Sequence, residues 1–162
     1  ITENPDNLLS SLQRARADGA RVIYDFNHRR QLWSAEQARR FAVSVLEVTA
    51  LAKVSHEELE WLYGVSSPAE LSQRHGHIKW LFTCAGEKAE VWKAGHLVAR
   101  REFTAVDQVT DSSAAGDSFL AAYLAARRAA APALTRLQRG HALASQVIAG
   151  KGSIVPINLD KL

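Results

Sequence analysis

Hydrophobic positions along this chain alternate between a helical and an extended period, and that alternation sets out the expected fold. Residues 7–18 carry Leu8, Leu9, Leu12 and Ala15 on one side of a predicted helix that Asp18-Gly19 ends. Residues 21–26 are a short apolar run of the kind a buried strand shows. Ser34 caps a second helix to about residue 48, and residues 51–54 give the next strand. Ser55, with Glu58 three positions on, forms a capping box that starts a third helix, broken at Gly64. Ser67-Pro68 opens a fourth, reaching about His75. Trp80, Leu81 and Phe82 stand in a row within a strand over 79–84, and residues 89–93 and 97–103, joined through Ala94-Gly95-His96, predict a hairpin. Phe119, Ala122, Tyr123 and Ala126 mark a long central helix, Pro132 breaks it, and residues 135–149 give the last helix, with Leu137, Ala144, Val147 and Ile148 on its face. A final strand is expected over 154–157. Strands alternating with helices imply an α/β layered fold, with a mostly parallel central sheet flanked by helices and ligands at the carboxyl ends of its strands.

Composition narrows this picture. A chain of 162 residues with 47% hydrophobic positions can bury one sizeable core and is short for two full domains, so a single unit over 1–162 is expected. Cys84 is the one cysteine, which rules out an internal disulfide and agrees with a cytoplasmic setting. The longest apolar stretch, residues 41–54, is interrupted by Glu47 and Lys53 and is too short to span a bilayer, and residues 1–10 lack the regions of a signal peptide, so no membrane partner is expected. The chain begins at Ile1, as a piece of a longer protein does. The net charge of +3 comes from dispersed arginines without an aromatic-interleaved stripe, so nucleic acid is not an expected partner. His56, His75, His77 and His96 have no metal-ligand spacing. Neither G-x-x-x-x-G-K-[ST] nor G-x-G-x-x-G occurs, and Ser118 lacks a G-x-S-x-G elbow.

Candidate chemistry concentrates before the central helix, in D-S-S-A-A-G-D-S-F from Asp111 to Phe119. Ala114, Ala115 and Gly116 have little or no side chain, so the orphan amides of the first helical turn are open to an anion that the helix dipole favours. Asp117 follows as a carboxylate able to accept a proton from a hydroxyl. On local chemistry alone, an aspartate near a helix start is most often a cap, and S-S-A-A-G can be an ordinary loop. Asp25-Phe26-Asn27-His28-Arg29 stands at the end of the first strand, where Arg29 is either an anion-gripping fork or a surface arginine. Glu58 is either the capping-box acid or a carboxylate for a hard cation and its waters.

These motifs carry a resemblance. Asp111 to Phe119 is similar to the D-T-x-G-A-G-D-x-F signature of the ribokinase-like (PfkB) sugar kinases, with Ser112 in place of Thr and Ala114 in place of Gly. Asp25 to Trp33, D-F-N-H-R-R-Q-L-W, resembles the D-x-N-x-R-x-x-L-W stretch of the 2-keto-3-deoxygluconate kinases and related fructokinases, and Ser55-His56-Glu57-Glu58 resembles the family's N-x-x-E. The resemblance implies a ribokinase-like fold and ATP-dependent phosphorylation of a sugar acid, 2-keto-3-deoxygluconate, at its 6-position, with a fructokinase or ribokinase type of substrate as an alternative. It implies ATP and Mg2+ as cofactors, with Asp117 as base beside the amides of Ala114, Ala115 and Gly116. Arg29 and Asp117 are expected at the substrate, and Glu58 at the metal. Asn27, Arg29, Ser55, Thr83, Ala85, Gly86 and His141 are expected at the nucleotide, together with the anion loop. It further implies that this chain is the nucleotide-binding, C-terminal portion of such a kinase, without the sugar-binding and lid region through which a homo-oligomer forms. A non-catalytic nucleotide-binding fragment is the second alternative.

Overall fold

The computed structural model describes residues 5–28, 31, 34–65, 67–104, 106 and 108–162, the side chain of residue 62 excepted. The helices are α1 (Pro5–Ala17), α2 (Ala35–Leu46), α3 (His56–Tyr63), α4 (Pro68–Arg74), α5 (Ala115–Arg128) and α6 (Ala133–Ala149). The strands are β1 (Val22–Asp25), β2 (Thr49–Ser55), β3 (Lys79–Cys84), β4 (Lys88–Lys93) and β5 (His96–Glu102), and a short 3-10 helix covers Leu159–Lys161.

Local chemistry accounts for most of the boundaries. Ser34 Oγ accepts the Gln37 N–H at 3.2 Å while Gln37 Oε1 accepts the Ser34 N–H at 3.0 Å, a reciprocal cap that fixes the start of α2. The expected capping box of α3 forms in the same way between Ser55 and Glu58, and Gly64 closes that helix at φ 61. Ser67 caps α4, with Pro68 at its first position.

The strands form one sheet in the order β1-β2-β3-β4-β5, which gives the expected α/β class. β1 runs parallel to β2 and β2 parallel to β3, with Asp25 opposite Lys53 and Ser55 opposite Thr83 at the carboxyl ends. β2 and β3 are apolar runs buried on both faces, as central parallel strands are. The connections from β3 to β4 and from β4 to β5 are too short for a crossover, so the sheet turns antiparallel there. Both are tight turns with two successive left-handed residues, Ala85 at φ 39 with Gly86 at φ 79, and Ala94 at φ 48 with Gly95 at φ 80. That is the twist that matches flanking strands.

The chain divides into two compact units, Ile1–Thr83 with Val91–Leu97, and Cys84–Glu90 with Val98–Leu162. The first is built on a core that includes Leu46, Val54, Leu71, Ile78, Trp80 and Phe82, all fully enclosed. In the second, α5 packs on α6 with the Phe119 ring against Gly140, and Tyr123, Ala126 and Leu137 are buried on these helices. Residues 154–157 form no strand, contrary to the expectation. Pro156 lacks a ladder donor, and Ile154 is 96% exposed, so this apolar run has no sheet face to cover.

Candidate functional site

In the first unit, the parallel register brings the expected residues Asn27, Ser55, Glu58 and Thr83 to the carboxyl ends of β1, β2 and β3. Arg29 lies outside the described residues. Asn27 follows β1 at φ 34, a left-handed conformation that asparagine tolerates better than most residues. Both carboxylate oxygens of Glu58 accept backbone N–H bonds, Oε2 from Ser55 at 2.9 Å and Oε1 from His28 at 2.7 Å. A carboxylate has about four lone-pair sites, so Glu58 keeps acceptor capacity for water beyond these two bonds. Its capping role is therefore direct, and it also ties the residues after β1 to the start of α3.

Lys53 and Asp25 face one another across the β1–β2 register. The ammonium donates to both Asp25 oxygens, at 3.1 and 3.0 Å, with side-chain exposures of 7% and 15%. Burial first, then the negative charges of Glu58 and Asp25, pushes the Tyr24 phenol up to about 12. Sequence patterning missed this pair, although the lysine inside the apolar run Leu51 to Val54 is its signal, because a fully buried strand position holds a charge only when it is matched.

The second unit holds the anion loop. Ala114 is the N-cap of α5 at φ 59 and ψ 10, and no side chain caps that end. Ala115, Gly116 and Asp117 form the first turn, with the Asp117 carboxylate exposed. A glycine meets no steric penalty at such a φ, whereas an alanine's Cβ crowds the following carbonyl, so the Ala114 departure places strain where the resemblance expects glycine.

Asp111 sets the loop against the end of α6. Its Oδ1 accepts the Ser113 N–H at 2.8 Å and its Oδ2 accepts the Gly152 N–H at 3.0 Å. The Ile148 carbonyl in turn takes the N–H groups of Thr110 and Asp111, at 2.8 and 3.2 Å. Hydrogen bonds from Ser113, and then from Gly152, hold the Asp111 carboxyl below its usual range. The sequence placed Asp111 at the head of the motif without a role, and an aspartate two residues before a turn amide is the Asx signal that identifies it.

Also in this unit, the Ala85-Gly86 turn closes by a 2.7 Å bond from the Glu87 N–H to the Cys84 carbonyl, and the Phe103 N–H binds the Glu87 carbonyl at 2.7 Å. The Phe103 ring stacks on His141 at a centroid distance of 3.9 Å and an interplanar angle of 3°. Burial, then the Arg101 charge, lowers the His141 pKa and favours the neutral ring. Phe103 gave no sequence signal beyond ending a strand. Among the described residues no group of three His, Cys, Asp or Glu side chains is placed to hold a metal. This is compatible with magnesium, which is often bound through one or two carboxylates and the substrate's phosphates.

The fold is ribokinase-like, and comparison with known proteins gives the family. The 2-dehydro-3-deoxygluconokinase of Thermotoga maritima superposes with a TM-score of 0.80 at 20% identity, over 99% of this chain and 55% of that one. The model of the pfkB family carbohydrate kinases matches residues 1–160, and the chain belongs to that family. The 2-dehydro-3-deoxygluconokinase of Escherichia coli K12 is 36% identical over 166 residues, covering 93% of this chain and 51% of that protein. Fructokinase-2 of Solanum lycopersicum is 31% identical over 123 residues, covering 72% of this chain and 36% of that protein. The chain thus spans about half the length of the curated 2-dehydro-3-deoxygluconokinases it matches.

Proposed function

We propose that this chain supplies the nucleotide-facing part of a sugar kinase that transfers a phosphoryl group from ATP to 2-dehydro-3-deoxygluconate, giving its 6-phosphate. The observation that carries this reading is the start of α5, which no side chain caps and where three residues with minimal side chains precede an exposed carboxylate; of their amides, that of Ala115 bonds the Ser112 carbonyl at a long 3.3 Å. In that reading, the amides of Ala114, Ala115 and Gly116 hold charge on the transferred oxygens, and Asp117 takes the proton of the attacking sugar hydroxyl. Magnesium, when bound with the nucleotide, supplies neutralisation of phosphate charge. Glu58 is the carboxylate proposed to receive its waters, using the lone pairs not engaged by Ser55 and His28.

Asn27, Ser55, Thr83 and the Ala85-Gly86 turn are assigned to the nucleotide, as is His141, whose neutral ring stacked on Phe103 offers a flat surface suited to a base. Arg29 is assigned to the carboxylate of the sugar acid, and this assignment rests on the D-F-N-H-R sequence alone. The fructokinase match keeps a neutral ketose as the second reading of the substrate. An ADP-release assay on the protein that carries this chain separates the two. Turnover with 2-dehydro-3-deoxygluconate well above that with fructose is expected, and Arg29→Ala is expected to weaken the acid far more than the ketose. Preference for fructose, unchanged by Arg29→Ala, would replace the first reading with the second.

A further inference from the structure

We propose that Lys53 and Glu58 are positioning residues that clamp the end of β1, so that Asn27 is presented to the nucleotide in its left-handed conformation. This rests on the assignment of Asn27 to the nucleotide made above. Lys53 grips two consecutive residues of β1's end. Its ammonium binds both oxygens of Asp25, and its carbonyl accepts the Phe26 N–H at 3.2 Å. Glu58, from the first turn of α3, takes the His28 N–H through Oε1 while its other oxygen stays on the Ser55 N–H. The His28 ring then lies against Trp61, with centroids 3.9 Å apart.

Asn27 is therefore flanked on both sides by residues whose backbone amides are fixed from β2 and α3, while it occupies φ 34. Asparagine tolerates that region better than most residues, and the bonds on either side fix it there. The register pairs end at Asp25 opposite Lys53, and the Phe26 N–H bond to the Lys53 carbonyl is the last of that ladder, so beyond Phe26 it is the bond from the His28 N–H to Glu58 that ties the backbone down. A charge pair this buried is a poor source of stability, because desolvation offsets most of its attraction, and a specific geometry is what it secures. Both clamps converge on one residue, the one to which a ligand contact is assigned.

The test is ATP–magnesium affinity by calorimetry, together with hydrogen exchange at the Phe26 and His28 amides. Removing the ion pair as a unit, Lys53→Met with Asp25→Leu, avoids leaving an unpaired buried carboxylate that can unfold the chain. That double variant is expected to weaken nucleotide by about 10- to 100-fold, the scale of loss when a contact is misplaced from a distance. Faster exchange at both amides is expected with it. In an Asn27→Ala background the same change is expected to cost less than about twofold more, because residues acting through one contact are not additive. Lys53→Arg, which keeps the charge, is expected to retain most of the affinity. If Asn27→Ala weakens nucleotide and the double variant does not, the clamp is overturned while the role of Asn27 stands. A full additive loss in the Asn27→Ala background, or unchanged exchange at both amides, also overturns it. If Asn27→Ala changes nothing, the assignment of Asn27 itself fails, and the clamp with it.

Discussion

Gly140, in the middle of α6, allows the close approach of the two helices that carry the anion loop and His141. A Cβ built at Gly140 would lie 2.9 Å from Phe119 Cε1 and 3.0 Å from both Cδ1 and Cζ, so the Phe119 ring lies against the glycine backbone. Gly140→Ala gains about 1 kcal/mol of helix propensity. Against this, the ring must retreat by about 0.5–1 Å to reach ordinary carbon–carbon contact. Phe119 is only 6% exposed and is a rigid ring, so retreat means shifting α5 against α6, an overpacking that costs about 1–3 kcal/mol. The net expectation is a loss of about 1 kcal/mol, or a fall in Tm of about 2–4 °C for a chain of this size. Gly140→Val adds a branched side chain and is expected to lose about 3 kcal/mol. Phe119→Leu removes the ring edge that the new methyl meets, so the pair Gly140→Ala with Phe119→Leu should be less destabilising than the sum of the singles by about 1 kcal/mol. Thermal and urea unfolding of the four variants and the wild-type chain measure all of this. A rise in Tm for Gly140→Ala, as helix propensity alone gives, would refute the close approach.

Three further outcomes follow from the site. Ala114→Gly relieves a Cβ held at φ 59 but adds freedom to the unfolded chain, so stability should change by less than about 1 kcal/mol, whereas Ala114→Val should lose more than about 1 kcal/mol in urea unfolding. Asp111 has a folded pKa below its ordinary value of 3.8, so its contribution is present above that value and is lost as pH falls through the folded pKa. The Tm gap between the wild-type chain and Asp111→Asn should therefore narrow below about pH 4, and a gap independent of pH would remove the clamp to Gly152 from the account. His141 has a folded pKa lowered by burial, so the unfolded chain binds its proton first and the fold loses stability as pH drops below about 6.5. His141→Phe keeps the stack on Phe103 and should lack that decline between the ordinary and the folded pKa.

Local sequence chemistry carried much of the fold. The capping box at Ser55 and Glu58, the Ser67-Pro68 start and the extent of β3 follow from side chains whose partners lie within a few residues, so no tertiary context is needed to place them. The apolar run at 154–157 misled because a short hydrophobic run becomes a strand only if a neighbouring strand accepts its backbone bonds, and Pro156 interrupts those donors. At the candidate site, the anion loop was legible through residues that lack side chains. The Lys53–Asp25 pair was not, since its partners are 28 positions apart and meet only through the parallel register. The Phe103–His141 stack and the Asp111 bond to Gly152 were hidden because their partners also lie far apart along the chain. Ala114 shows the reverse, where a departure from the resembled glycine became interpretable once its φ was seen to be positive.

The central claim is that nucleotide phosphate is held at the start of α5 with Asp117 beside it. Backbone amide NMR of the chain titrated with ATP and magnesium tests this most directly, with Asp117→Asn measured in parallel. The account predicts that the largest shifts fall on the amides of Ala114, Ala115, Gly116 and Asp117. In Asp117→Asn the binding should persist, while phosphoryl transfer by the protein that carries this chain falls by about two to four orders of magnitude, the usual worth of a general base. Saturable ATP binding that leaves those four amides unmoved, or undiminished transfer in Asp117→Asn, would contradict it.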